Sequence, residues 1–348
     1  MRKKGAKSFL FCFLTLLLLF SFCVGATSCT QKDPVTSNRV FYEYFDTVSV
    51  FYDYTGMGTE KFNLLAKSVE ASLEHYHRLF DIYNEYDGLT NLATVNRMAG
   101  EGSVRVDSAI IGLLDFCIDM YKLTDGKVNV MMGSVLSLWH DLRAEGERIP
   151  TSEELSERGA HISIDLLRIN KEESTVEITD PLARLDVGAI AKGYTAQLIK
   201  DELVHQGYSG LVLDLGGNIC TVGTKPDGSG WQSAIRNPLY TKGEDGDRYV
   251  RTLDLSDSAL VTSGVYERYY TVDGVRYHHI IDPDTLMPES RYLSVSVHTD
   301  DSGVADALST ALFNMDESEA RDLVDRFADV EATFVLSSGE LLIIGEKQ

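Results

Sequence analysis

The chain is predicted to be an α+β protein, with mainly antiparallel sheets and packed helices. Short Val-, Ile-, Leu- and Tyr-rich runs separated by turn residues fill most of its second half. Apolar residues at helical spacing mark a few longer segments near both ends of the body. With 348 residues, 44% hydrophobic and 24% charged, and no internal repeat, one or two ordinary globular domains are expected.

The N-terminus stands apart from the fold. Basic "MRKK" precedes "SFLFCFLTLLLLFSFCVGA", and Ala26, Thr27 and Ser28 then lead into Cys29. This is the layout of an export signal. Small residues before a cysteine resemble the lipobox of bacterial lipoproteins. Residues 1–28 are therefore expected to be a lipoprotein signal, with Cys29 lipidated. An uncleaved anchor, for which the apolar run is long enough, and free secretion are the other readings. All three place the body outside the cytoplasm; the first anchors it by lipid to the cell membrane. Residues 29–40 read as the lipidated cysteine and a polar tether, and residues 41–348 as one domain.

Along that domain, "VFYEYFDTVSVFYDY" alternates and reads as a strand or the start of a hairpin. In "TEKFNLLAKSVEASLEHYHRLFDIYNEY", Phe62, Leu65, Val69, Leu73 and Tyr76 have helical spacing. "DSAIIGLLDFCIDMYKLTDG" is a second helix, stopped at Asp125-Gly126. Strand-like runs follow: "ISIDLLRIN", "STVEITD", "ARLDVGAIAKG", "GLVLDLGGNICTVG", "WQSAIRNP", "RYVRTLDLSDSALVTSG", "RYYTVDGVRYHHIID" and "LSVSVHT". "IAKGYTAQLIKDELVHQ" is a helix among them. "GVADALSTALFNM" and "ESEARDLVDRFADV" are helices before a closing strand pair in "EATFVLSSGELLIIG".

A net charge of −21 argues against a protein that tracks nucleic-acid phosphates. Beyond the leader and Cys29, only Cys117 and Cys220 remain. Their apolar neighbours predict buried free thiols rather than a disulfide framework.

Several constellations can carry chemistry. Asp306 and Thr310 are four residues apart and share a helix face. Carboxylate and hydroxyl form a hard-oxygen pair that suits Mg²⁺ completed by phosphates and water; an N-terminal helical Asp with a back-bonded Thr gives the same pattern. In "RLDVGAIAKGY", Asp186 leads into Gly188 and a helix start that offers free N–H groups, with Lys192 in its first turn as a point charge for a diphosphate; a plain strand-to-helix turn gives the same pattern. "LDLGGNI" and "VTSGVYERYY" each interrupt strand-like runs with glycine and are uninformative alone. In "VRYHHIID", strand alternation would send His278 and His279 to opposite faces. His278 then groups with Arg276 and Asp282 on a polar face. His279 lies with Val275, Tyr277 and Ile281 on the more buried one, as a base or as a satisfied core histidine.

Taken in order, "TDG" with "LW" beyond it, "LDVGAIAKGY", "LVLDLGGN", "IRNP", "TSGVYERY", "HHIIDPDT" and "ADALSTALF" resemble the FAD:protein FMN transferase (ApbE-like) family over residues 41–345. The resemblance implies an ApbE-like, T-fold-like architecture. It implies an enzyme that splits FAD, attaches FMN through a phosphoester to a Thr or Ser of an exported acceptor, such as a subunit of a membrane redox pump, and releases AMP. It further implies Mg²⁺ held by Asp306, Thr310 and the Ala189 carbonyl, and His279 as general base. FAD contacts are implied at Tyr83, Lys127, Val128, Asn129, Asp186 and Lys192. Mg²⁺-dependent hydrolysis of FAD to FMN and AMP, and flavin binding without chemistry, are the alternatives.

Three positions depart from the family pattern. Phe45-Asp46-Thr47 stands where Met-Gly-Thr is usual, and Asn129 where Asp is common. Leu286 replaces the glycine of D-P-x-T-G-x-P. If that position needs positive φ, leucine costs about 1–2 kcal/mol, and the turn is expected to have adjusted.

Overall fold

The computed structural model describes residues 37–241 and 246–345. The leader, Cys29 and the first part of the tether lie outside the described residues.

The chain enters as an antiparallel pair, β1 (Ser37–Phe41) and β2 (Ser49–Asp53). The sheet thus begins at Ser37, so residues 37–40 are strand where the sequence suggested tether. Helix α1 (Thr59–Phe80) buries Phe62, Leu65, Ala66, Val69 and Leu73, the stripe that its spacing predicts. α2 (Leu92–Arg97) and the two-residue strand β3 (Val104–Arg105) lead to α3 (Ser108–Leu123). Asp107 caps α3 by accepting from the Ala109 N–H. Next come α4 (Gly133–Glu145), α5 (Ser152–Gly159), β4 (Leu167–Asn170) and β5 (Thr175–Ile178). α6 (Ala191–His205) precedes β6 (Leu211–Leu215), β7 (Asn218–Val222), β8 (Trp231–Arg236), β9 (Tyr249–Leu255) and β10 (Ala259–Gly264). β11 (Tyr269–Val272) and β12 (Val275–His278) form a hairpin. β13 (Tyr292–Thr299), α7 (Ser302–Phe313), α8 (Glu317–Val324), β14 (Glu331–Leu336) and β15 (Leu341–Ile344) complete the body.

One eight-stranded sheet organises the molecule, in the order β1-β2-β6-β7-β10-β13-β14-β15. Its pairings are antiparallel throughout. β13 and β14 are buried almost end to end, which a strand needs when both faces of its sheet are covered. Ala305, Leu308, Leu312 and Phe313 of α7 share one core with Val295, Val297, Ala332 and Phe334. The β8–β9 hairpin reaches β14 with Arg251, whose Nη1 donates to Glu331 Oε1 at 2.6 Å and Thr333 Oγ1 at 2.8 Å. A second core joins α1 and α6 to β2, β6 and β7.

Three predicted features come out differently. "ARLDVG" is not a strand: it makes a single parallel bridge, Arg184 to Met132, before α6 begins. α2, α4 and α5 occupy stretches to which the sequence reading assigned no element. β12 stops at His278, so the second histidine lies just beyond the strand. Cys117 and Cys220 are buried free thiols, as expected, and burial pushes the Cys220 thiol up to about 12.

Candidate active site

A cleft of about 810 Å³ opens where the N-terminus of α6, the C-terminal part of α7, the end of β10 and the β11–β12 hairpin meet. Tyr83, Lys127, Val128, Asn129, Asp186, Ala189, Lys192, His279, Asp306 and Thr310 all line it. Residues spread over more than two hundred positions are thus brought to one cavity.

The floor is set by two helices that cross closely. Asp306 on α7 is buried, 4% exposed, and its Oδ2 accepts the Gly193 N–H of α6 at 2.8 Å. Lys192 Nζ lies 3.9 Å from the same oxygen. Burial raises the Asp306 pKa, against the lowering effects of Lys192 and the Gly193 N–H. The bond from Gly193 has a second consequence. In a regular helix that N–H would close a turn onto the Ala189 carbonyl; here α6 begins only at Ala191, and the carbonyl is left for another partner. Gly193 is also required sterically. A Cβ there would run into the Ser302 carbonyl and Asp306 Cβ. Gly193→Ala is expected to cost about 1–3 kcal/mol of stability by overpacking and to weaken cation binding at the same time. Thermal unfolding and Mg²⁺ calorimetry check both effects.

This region fits a hard cation. The donors are one carboxylate, one hydroxyl and one carbonyl, all oxygen, and an incomplete protein shell of this kind suits Mg²⁺ shared with phosphates and waters. No cluster of three or more His, Cys, Asp and Glu side chains occurs among the described residues, so water or ligand phosphates would complete any such site. Asn218, at the β6–β7 turn, lines the same cavity and is only 3% exposed. Its Nδ2 makes no hydrogen bond of good geometry among the described residues, although it lies near enough to Asp306 to help lower that carboxyl's pKa. A buried amide donor is expensive to leave unpaired, and a ligand oxygen would satisfy it. The alternative of a helix-opening Asp with a back-bonded Thr does not hold. Asp301, not Asp306, caps α7 by accepting from Val304 N–H, and the Asp306 carbonyl accepts the Ser309 hydroxyl.

The two histidines divide sharply. His278 is buried, 6% exposed, and fully satisfied. Its Nε2–H donates to the Glu289 carbonyl at 2.6 Å and its Nδ1 accepts the Ile280 N–H. Its ring meets Phe313 edge-on at 5.5 Å. The polar, solvated face assigned to His278 from alternation is therefore wrong. His279 is the exposed one, and its exposure is to the cleft. Both its N–H and its Nδ1–H donate to the Arg268 carbonyl, at 3.1 and 3.2 Å. A carbonyl can only accept, so the proton sits on Nδ1 and Nε2 carries the free lone pair. The enclosing walls, then the charge of Arg268, lower its pKa. The imidazole is therefore neutral at pH 7.

The other lining residues have specific holds. Tyr83 follows an Asx turn in which Asp81 Oδ1 accepts its N–H at 2.7 Å. Its ring is 64% exposed and tilted over His140 at 5.9 Å, a free platform for a flat ligand. Lys127 Nζ binds Asp282 at 3.0 Å and Asp284 at 2.7 Å, so its charge ties its segment to the Asp-Pro turn. Asn129 uses both ends of its amide: Nδ2 donates to the Ile162 carbonyl and Oδ1 accepts Met131 N–H. Aspartate could not make the first of these bonds. Asp186 accepts the Gly188 N–H at 2.8 Å, and burial raises its pKa. Two cleft residues escaped sequence reasoning. Arg143 and Arg268 have no hydrogen bond or ion pair to their guanidinium groups among the described residues, and desolvation followed by the charge of Arg268 lowers the pKa of Arg143.

The profile of the ApbE family matches residues 46–334. The chain belongs to the ApbE family. An FAD:protein FMN transferase of Treponema pallidum (strain Nichols) is 32% identical over 258 residues, covering 70% of each chain. One from Klebsiella pneumoniae (strain 342) is 27% identical over 274 residues, covering 76% of this chain and 83% of the relative. The crystal structure of an ApbE protein from Thermotoga maritima superposes with a TM-score of 0.78 at 26% identity, over 89% of this chain and 97% of that one. The flavin transferase ApbE from Vibrio cholerae gives 0.73 at 25% identity, over 88% and 96%.

Seen as an ApbE fold, the departures from the family pattern become intelligible. Asp46 stands at the usual glycine with φ 51, and aspartate tolerates that region better than most residues. Leu286 stands at the other with φ 59. The turn has not adjusted. Leu286 keeps the left-handed conformation, held by its N–H to the Asp282 carbonyl at 2.8 Å and by Trp139 Nε1–H to its own carbonyl at 3.0 Å. Its side chain packs with Trp139, Leu155 and Ile281, over Gly159, where a Cβ would collide with it.

Proposed function

We propose that this protein is a Mg²⁺-dependent FAD:protein FMN transferase. It takes FMN from FAD, joins it through a phosphoester to a Thr or Ser hydroxyl of an exported acceptor protein, and releases AMP. The observation that carries this reading is the convergence in one cleft of a neutral His279, with Nε2 free, and the oxygen set of Asp306, Thr310 and Ala189. The names of the relatives support it: those from Treponema and Klebsiella are FAD:protein FMN transferases.

In this reading His279 Nε2 takes the proton of the acceptor hydroxyl as its oxygen bonds to the FMN-side phosphorus. The bond from that phosphorus to the bridging oxygen breaks, and AMP leaves with the oxygen. The carbonyl of Arg268 holds the imidazole in the tautomer that can accept a proton. Lys192 and the first turn of α6 offer positive charge to the diphosphate. Tyr83 stacks against the flavin. Asp306, Thr310 and the Ala189 carbonyl hold the cation, which when bound polarises the phosphoryl oxygens and stabilises the leaving group.

The test is incubation of the purified protein with FAD and Mg²⁺, with and without a threonine-containing acceptor peptide. Transferase chemistry gives an FMN adduct by mass spectrometry and one AMP per adduct. AMP without adduct, even with acceptor present, would mean hydrolysis. Tight FAD binding with no AMP at all would leave a flavin carrier.

The location belongs to the same proposal: a body outside the cytoplasm, held to the membrane by lipid on Cys29, where a redox-pump subunit is a suitable acceptor. Cys29→Ser is expected to release the protein from membranes or to leave it unprocessed. Fractionation and mass spectrometry read this, and a variant processed and retained like the parent rules out the lipid.

A further inference from the structure

We propose that Ser263 and Ser309 are positioning residues: they form a directed hydroxyl relay that turns the lone pairs of Thr310 toward the cation. This rests on the reading of Thr310 as a ligand. Three hydroxyls meet between the end of β10 and α7. Ser309 Oγ lies 2.9 Å from the Asp306 carbonyl, Ser263 Oγ 2.8 Å from Ser309 Oγ, and Thr310 Oγ1 3.4 Å from Ser263 Oγ. Each hydroxyl has one proton to give. The Asp306 carbonyl can only accept, so the proton of Ser309 is committed to it. Ser263 must then donate to Ser309, and Thr310 to Ser263. Only this order makes all three bonds.

The last member matters for the site. A helical threonine commonly turns its hydroxyl back onto the carbonyl four residues earlier, here that of Asp306. Ser309 has taken that carbonyl, and Ser263 offers Thr310 another acceptor. With its proton drawn toward Ser263, Thr310 Oγ1 keeps both lone pairs for an electrophile in the cleft that it lines. Ser309 is fully buried and Ser263 half-buried, so bulk water does not readily take over the relay. Two segments that share no local sequence signal, "VTSG" and "ADALST", become one device. The serine of "VTSG" thereby gains a role that the strand pattern alone did not give it.

Outer-layer partners of metal ligands typically contribute about 10–100-fold to metal affinity. Ser263→Ala is therefore expected to weaken Mg²⁺ binding by about tenfold or more, read by calorimetry on the FAD-free protein, with the melting temperature of the metal-free protein little changed. Ser263→Thr, which keeps the hydroxyl, should restore the affinity. Ser309→Ala frees the Ser263 proton to reverse and should weaken Mg²⁺ binding as well. Parental affinity in Ser263→Ala, while Thr310→Ala loses it, would overturn the relay and leave Thr310 a ligand. Parental affinity in Thr310→Ala would overturn the ligand reading itself. A loss in Ser263→Ala that Ser263→Thr does not repair, accompanied by a lower metal-free melting temperature, would reduce Ser263 to packing.

Discussion

Asp306→Asn is expected to slow Mg²⁺-dependent transfer of FMN sharply while the protein stays folded. The amide oxygen can still accept the Gly193 N–H that holds α6 against α7. What disappears is the only charged group in the proposed ligand set. Cation stabilisation of phosphoryl transfer is worth several kcal/mol, so a rate loss on the order of 10²–10³ follows at about 1.4 kcal/mol per tenfold. FAD should still bind, more weakly, because the proposed ring stacking on Tyr83 does not need the ion. Acid should act in the same direction in the parent. Burial raises the Asp306 pKa, so protons compete with the cation at a higher pH than at an exposed aspartate, and Mg²⁺ affinity should fall as pH drops. Unchanged Mg²⁺ affinity in Asp306→Asn would reject the site.

The second large effect separates the adjacent histidines. His279→Ala removes the free Nε2 and should slow FMN transfer by about 10²–10⁴, the usual contribution of a positioned base. FAD binding, Mg²⁺ binding and melting temperature should change little, since the ring faces the cleft. His278→Ala should do the opposite. It empties a buried site and leaves the Glu289 carbonyl and Ile280 N–H without their partner. A destabilisation of about 1–3 kcal/mol is expected, with rate loss only as far as folding is lost. The acid limb of stability offers a further check. Burial lowers the His278 pKa below 6.5, so below that pH the unfolded chain binds a proton that the folded chain does not. Stability should therefore fall as pH drops through 6.5 toward the lowered value, and less so in His278→Gln. Equal rate losses at unchanged stability in both alanine variants would contradict this division.

Much of this was legible from local signals. The α1 stripe, the "DSAII" helix start and the final strand pair each agree with their surroundings, and the fold keeps them. α4 was missed although Val135, Trp139 and Leu142 recur at helical spacing, because it opens at Met132 without a capping side chain. "ARLDVG" looks like a strand by composition, but it forms only one bridge, to the Met132 segment, and extends into no ladder among the described residues. The histidines do point apart, but their surroundings are reversed: His278, which alternation groups with Arg276 and Asp282, is buried, and Asp282 is buried with it, so the polar residue types misreport that face. Arg143 and Arg268 were illegible in principle, since nothing in either segment refers to the other. Asn218 was visible only as part of a glycine turn, and its place beside Asp306 exists only once α7 is folded against the β6–β7 turn.

The β11–β12 hairpin has a wider consequence. Asp273 and Gly274 both take positive φ, at 50° and 80°, as a two-residue turn matching the strand twist requires. That turn fixes Tyr269 opposite His278, so the next rung sets His279 against the Arg268 carbonyl. Which imidazole is presented to the cleft is thus decided by counting from a turn that lies outside the cavity wall. The histidine pair holds two interchangeable letters, and the hairpin supplies the reading frame. A residue gained or lost at Asp273-Gly274 would shift that frame and offer the wrong imidazole to the cleft, with every lining residue still present in the sequence. Selection on the chemistry therefore reaches a loop that does not line the cleft.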